Sequence, residues 1–257
     1  MKNAWLALMT AVRLLTGFLV MGVAVAVQML VLIVLLPSRN ARIRSCNYWG
    51  KVVGRVEMWV SGCPTTVTSG ERLDANHPAI YISNHTSPMD AFLAMFLSPV
   101  GTCGVVKKGI IYYPFFGQMY LLSGHLRIDR KNRQSAIKSM AGLVEDVRRY
   151  HLSMFIWPEG TRSRDGRLGP FKKGVVHMAL ATGLPIVPIV VTGAHRAWQK
   201  GSLRLAPVPV DVQVLPPIDT SGWTQETLDT HVYELWDVYR RALPEDQQPA
   251  TLMELPG

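Results

Sequence analysis

Two short stretches place reactive side chains where a chain is about to turn. In AIYISNHTSPMD, Ala79 to Asp90, an apolar run stops at Asn84 and delivers His85 into a turn, with Asp90 five residues later. Asn84, Thr86 and Ser87 are turn and cap formers, and Pro88 suits the first turn of a following helix, so Asp90 falls in that first turn. A helix start there brings the carboxylate back toward the imidazole. Asp90 could then hold one ring nitrogen as a donor and leave the other free to accept a proton. The same residues could simply satisfy turn and cap hydrogen bonds, because an HxxxxD spacing alone is weak. No GxSxG nucleophile accompanies the histidine, and no second histidine stands at metal-ligand spacing. A base without an attached nucleophile implies a substrate that carries its own hydroxyl.

The second stretch, FIWPEGTRSRDGRLGPFKKG from Phe155 to Gly174, is an apolar run broken by Pro158, followed by Glu159, Gly160, Thr161 and Arg162. Glycine permits close backbone approach, threonine offers a hydroxyl, and the arginine fork matches a phosphate monoester. For Arg164 and Arg167 a solvated basic loop is an equally good reading. A third stretch, LRIDR, ends in Arg130, with Asp129 beside it as a local counter-charge.

These groups need rigid elements behind them. Apolar and β-branched runs predict strands over Ile80 to Ser83, Cys103 to Val106, Leu126 to Asp129, Met154 to Trp157, Ile186 to Val191 and Val208 to Leu215. Helical spacing predicts helices over Gln134 to His151, Lys172 to Thr182 and Thr224 to Leu243, the second stopped by Gly183. Alternation of the two predicts an α/β domain with a mixed, largely parallel sheet flanked by helices, whose functional groups collect in loops at strand ends. The expected division is residues 1–62 as a membrane-embedded and interfacial helical segment, 63–243 as the catalytic domain and 244–257 as a flexible tail.

NHTSPMD, LRIDR, WPEGTRSR and LPIVPIVV occur in this order between Tyr81 and Val191. Together they resemble the four motif blocks of the glycerolipid acyltransferase superfamily, most nearly the bacterial 1-acylglycerol-3-phosphate O-acyltransferase type. The resemblance implies transfer of a fatty acyl group from a thioester to the free hydroxyl of a lysophospholipid, with no acyl-enzyme intermediate. It implies His85 as general base and Asp90 as its orienting carboxylate. Arg130, Glu159, Gly160, Thr161 and Arg162 carry over to acceptor binding, while Pro188 matches a block with acyl-chain or structural roles. No cofactor or metal is implied; the co-substrate is acyl-CoA or an acyl carrier protein thioester. The chain departs from the family pattern at Lys107–Lys108–Gly109, where an acidic residue often follows a lysine, and at Trp157, where phenylalanine is usual.

The 257 residues carry 27 Lys and Arg against 18 Asp and Glu, a net charge of +9 that favours an anionic partner. Within the first sixty residues Lys2, Arg13, Arg39, Arg42, Arg44, Lys51 and Arg55 face one acid, Glu57. Leu14 to Leu36 is uncharged and, as a helix, roughly 34 Å long, enough to cross a bilayer with some tilt. Basic residues after it outnumber those before it, which predicts a catalytic domain on the cytoplasmic face of the inner membrane, beside anionic lipid headgroups. Hydropathy leaves a single span and a re-entrant hairpin equally open. The three cysteines form no CxxC pair, consistent with a reducing compartment and with neither a disulfide framework nor a zinc cluster. Nucleic-acid binding is disfavoured, since the positive excess adjoins the apolar run and no binding module is present. The alternatives are acylation of another lysolipid such as a lyso-aminolipid, a phospholipid hydrolase in which His85 activates water, and a non-catalytic membrane adaptor.

Overall fold

The computed structural model describes residues 2–112, 116–129 and 133–254. In chain order the elements are α1 (Lys2–Val34), α2 (Arg39–Val60), β1 (Thr65–Thr68), α3 (Glu71–Ala75), β2 (Ile80–Ser83), α4 (Asp90–Leu97) and β3 (Thr102–Lys107). After these come α5 (Phe116–Ser123), β4 (Leu126–Ile128), α6 (Arg133–Tyr150), β5 (Ser153–Ile156) and α7 (Gly174–Thr182). The chain finishes with β6 (Ile186–Thr192), α8 (Ala194–Ala197), β7 (Val210–Val214) and α9 (Leu228–Ala242). The strands form one sheet in the order β1-β7-β6-β2-β5-β3-β4, parallel throughout except where β6 meets β7. This is the mixed, largely parallel α/β sheet expected from the sequence.

β2 lies at the centre, and all four of its residues are buried. Successive side chains in a strand point to opposite faces. Ile80 and Ile82 accordingly enter a core with Leu143, Val176, Leu235 and Trp236, from α6, α7 and α9, while Tyr81 enters a second with Met89, Leu93 and Val187. β1, of sequence TTVT, was not among the expected strands: it is a short edge strand whose threonines stay half exposed, so it lacks an apolar run.

Pro188 interrupts the ladder between β2 and β6, where it stands opposite Ile82. The hydroxyl of Tyr239, from α9, is inserted at that point. It donates to the Ile82 carbonyl at 2.6 Å and accepts from Ile189 N at 3.1 Å. Tyr239 is fully buried, and this burial holds its phenol well above the usual range. An α9 side chain thus links two strands next to a residue that has no N–H to offer.

α1 and α2 form a helical hairpin. Met21, Ala24 and Val25 of α1 pack toward α2, whereas Leu8, Leu15, Phe18, Leu19, Val23, Leu30 and Val34 are exposed. α1 is long and apolar enough to cross a membrane by length and composition, yet it also touches the α/β body near its start, where Thr10 donates to the Leu205 carbonyl at 3.1 Å. Two of the arginines that follow α1 face inward. Arg39 pairs with Asp146 and donates to the Gly124 carbonyl, and Arg42 donates to the Leu122 carbonyl. α2 lies directly on α4: a β-carbon at Gly54 would come within 2.5 Å of the Phe92 carbonyl oxygen, so only glycine allows this approach. The hairpin therefore braces the helix whose first residue is Asp90.

Composition points to a flexible tail after Leu243, but its first part is docked. Gln247 is fully buried; its carbonyl accepts from Leu168 N at 2.9 Å and its side-chain oxygen accepts from Gly193 N at 3.2 Å. Amide-to-backbone bonds of this kind let a polar residue enter a core that its composition alone would not suggest.

Candidate active site

Strand register gathers the site. Ile82 of β2 lies opposite Ile156 of β5 and Pro188 of β6, and the three strands run in parallel. Three residues on from each, His85, Glu159 and Val191 come level at the C-terminal ends of these strands, Val191 still within β6. The contacts follow from that level arrangement. His85 N donates to Glu159 Oε1 at 3.0 Å, and Asn84 makes a reciprocal pair with Val191, donating to its carbonyl at 2.8 Å and accepting from its N–H at 2.8 Å. Ser163 N closes the set by donating to the His85 carbonyl at 2.8 Å. Both backbone polar groups of His85 are thus held by the neighbouring strand-end loop.

The imidazole itself is held locally. Its Nδ1 lies 2.8 Å from Asp90 Oδ2, which also accepts from Thr86 N at 2.7 Å and Ser87 N at 2.9 Å. A carboxylate only accepts, so Nδ1 carries the proton and Nε2 presents a lone pair. The Asp90 side chain is 1% exposed and that of His85 18%, so the base reaches solvent while its partner does not. Trp157 stacks on the ring at a centroid distance of 4.5 Å and an interplanar angle of 18°, which fixes the remaining rotation. Ser87 holds the helix start, accepting from Met89 N and donating to the Trp198 carbonyl at 2.7 Å.

Glu159 has both its oxygens engaged by backbone. It is buried, with one oxygen on His85 N and the other facing Gly169, whose N–H also bonds the carboxylate. Burial pushes this carboxyl well above its usual range against the pull of those two amides. Its carboxylate braces backbone and also lines the cleft beside Thr161 and Arg162. Gly160 has φ +70°, a left-handed turn that a side chain disfavours, and the Lys172 stem lies close enough to meet any β-carbon placed there. Thr161 is exposed and Arg162 half-buried; among the described residues the Arg162 guanidinium has no hydrogen-bond or ion-pair partner. Lys200 reaches across from beyond α8, donating to the Arg162 carbonyl at 2.8 Å and lying 3.4 Å from Thr161 Oγ1. Arg130 lies outside the described residues.

The structure therefore brings together His85, Asp90 and Glu159, with Gly160, Thr161 and Arg162 on the adjoining turn. Lys172 closes the same basic stretch, while Asn84, Lys200 and Gln247 complete the arrangement and were not expected from the sequence. Asn84 was legible only as a turn former, and Lys200 and Gln247 lie far along the chain with no local signal. Two other histidines are engaged away from the site: Gly104 N donates to Nδ1 of His125, whose burial lowers its pKa to about 4, and the Ser153 hydroxyl hydrogen-bonds Nδ1 of His77 at 2.6 Å. Among the described residues no three His, Cys, Asp or Glu side chains gather as a metal site.

Residues 64–192, which contain both strand-end loops, match the model of the Acyltransferase family. A 1-acyl-sn-glycerol-3-phosphate acyltransferase from Limnanthes douglasii is 45% identical over 247 residues, covering 96% of this chain and 87% of the relative. The chain belongs to the glycerolipid acyltransferase family. A bacterial family member of the same name, from Escherichia coli K12, is 40% identical over 148 residues, 58% of this chain and 60% of that protein. The fold is shared with the crystal structure of the 1-acyl-sn-glycerophosphate (LPA) acyltransferase PlsC from Thermotoga maritima. That comparison gives a TM-score of 0.76 at 20% identity and covers 94% of this chain and 96% of the other. The family match ends at Thr192, so Lys200, Tyr239 and Gln247 act on the acyltransferase site from outside it.

Proposed function

We propose that this acyltransferase moves a fatty acyl group from a thioester to the free hydroxyl of 1-acylglycerol 3-phosphate, giving phosphatidic acid. The observation that carries the reading is one backbone held at both ends. The loop that fixes His85 against Asp90 is bonded through both its N–H and its carbonyl to the loop that presents Arg162. A base for an alcohol and a cation for a phosphate are thereby kept in fixed relation, as an acceptor with both groups requires. The names of the relatives support the same acceptor.

In this reading the substrate hydroxyl donates to Nε2 of His85. As the oxygen attacks the thioester carbonyl, the proton passes to the ring, and the imidazolium is stabilised by the buried Asp90 carboxylate. The tetrahedral oxyanion needs donors, which backbone N–H groups near the turn from Glu159 to Arg162 supply. Collapse expels the thiolate, which takes the proton from His85. A positioned base contributes about 10² to 10⁴ in rate. Arg162, with Thr161, binds the phosphate, and the motif resemblance assigns Arg130 to the same acceptor.

The donor is acyl-CoA or acyl carrier protein thioester, with no further cofactor. The exposed apolar face of α1, together with Trp59 and Tyr48 on α2, attaches the enzyme to the cytoplasmic leaflet, where lysolipids are held. The test is thioester consumption by the purified chain with 1-acylglycerol 3-phosphate, a lyso-aminolipid and water as competing acceptors. Phosphatidic acid formation that His85→Ala abolishes is expected. Fatty acid release without an acceptor, or turnover untouched by His85→Ala, would overturn the assignment.

A further inference from the structure

An open cleft of about 700 Å³ lies between the loop that follows β5 and the C-terminal segment. One side is formed by Thr161, Arg162 and Lys172, the base by Phe171 and Trp236, and the far wall by residues 250–253. None of that wall falls within the matched family stretch. We infer that this C-terminal segment is a substrate-binding wall, with Leu252 packing against the apolar part of the lysophospholipid acceptor whose phosphate lies at Arg162. This rests on the acceptor assignment made above and extends it to residues outside the motif blocks.

Charge and apolar surface are divided across the cleft. Arg167 is engaged with the Gln248 carbonyl at 3.0 Å, and Asp165 Oδ1 accepts from Ser163 Oγ and Arg167 N. These two charges hold the loop and the segment in place. Arg162 and Lys172 remain for an anion. Opposite them Leu252 is 68% exposed, a large apolar side chain facing the cleft. A phosphate alone fills a small part of such a volume, since sites of about 300–1,000 Å³ enclose ligands of tens of atoms. A phosphate ester with an aliphatic arm matches both walls, and the acceptor has that form. The position of the wall is set by Gln247, whose carbonyl and side-chain bonds to Leu168 N and Gly193 N tie the segment to the loop and to the start of α8.

The experiment uses the full chain in mixed micelles and compares wild type, Leu252→Asp and Leu252→Met. KM for 1-acylglycerol 3-phosphate, KM for the thioester, kcat and Tm are measured for each. The aspartate should raise acceptor KM roughly fivefold or more, with kcat within about twofold and thioester KM and Tm unchanged. Leu252→Met should stay close to wild type. An unchanged acceptor KM overturns the inference, as does a rise confined to the thioester KM, which would give the cleft to the donor. A fall in kcat together with Tm also overturns it, since the segment would then be structural. Wild type that consumes no thioester with any acceptor would remove the reaction assignment and this inference with it, an outcome distinct from the others.

Discussion

The two loops that meet at His85 are built in opposite ways. The loop after β2 is self-contained: Asp90 Oδ2 gathers the imidazole and the N–H groups of Thr86 and Ser87 within a span of five residues. The loop after β5 is held from a distance, by Lys200 on the Arg162 carbonyl, Gln247 on Leu168 N and Gln248 on Arg167. Proton transfer tolerates little misplacement and uses short, local constraints; an anion site must admit and release a ligand and is shaped by segments that come together only in the fold. Glu159 is the joint between them, a carboxylate from the second loop committed to an amide of the first.

Breaking the local loop should have the largest effect. His85→Ala should lower kcat by about 10³-fold or more, and Asp90→Asn by about 10²-fold, with acceptor KM nearly constant; steady-state kinetics at saturating thioester would show it. Removal of the phosphate cation comes next. Arg162→Ala should raise acceptor KM by about 10- to 100-fold, since hydrogen bonds to charged groups are worth roughly 1.5–3 kcal/mol, and leave thioester KM unmoved.

Glu159→Gln tests the joint. A neutral amide must turn its NH₂ toward one of the two N–H donors, so kcat should fall by about tenfold while Arg162 still binds the acceptor. Its pH signature has a definite sign. The carboxyl is pushed well above its usual range in the fold, so the neutral form is favoured, and the stability it contributes at low pH is lost as pH climbs through that raised value. Melting curves from pH 5 to 9 should therefore decline less for Glu159→Gln than for wild type. Tyr239→Phe should leave the Ile82 carbonyl and Ile189 N–H without their buried partner and lower stability by about 1–3 kcal/mol, read by urea denaturation. Lys200→Met, which removes the contacts to the Arg162 carbonyl and the Thr161 hydroxyl, should raise acceptor KM by about threefold.

The same contrast explains what the sequence disclosed. His85 and Asp90 were legible because their geometry is written in adjacent residues, and β2, β5 and β6 because buried parallel strands are continuous apolar runs. Glu159 was identified, but its bond to His85 N was not: which way its carboxylate points depends on the register of β2 with β5, which no local pattern records. Lys200, Tyr239 and Gln247 each act across a gap in sequence of 38 residues or more, and nothing near them announces it. Gln247 in particular lies in a segment whose prolines and acids suggest a loose tail, although its amide is fully buried.

The stack of Trp157 on His85 makes the base optically visible. An indole beside an imidazole loses emission when that ring takes up a proton, so the charge on His85 can be followed by fluorescence in the resting enzyme, without substrate or turnover. Seven tryptophans contribute to the spectrum. The difference between wild type and Trp157→Phe isolates the one that reports on the base, and would show whether lipid, donor or membrane alters its protonation before any acyl group has moved.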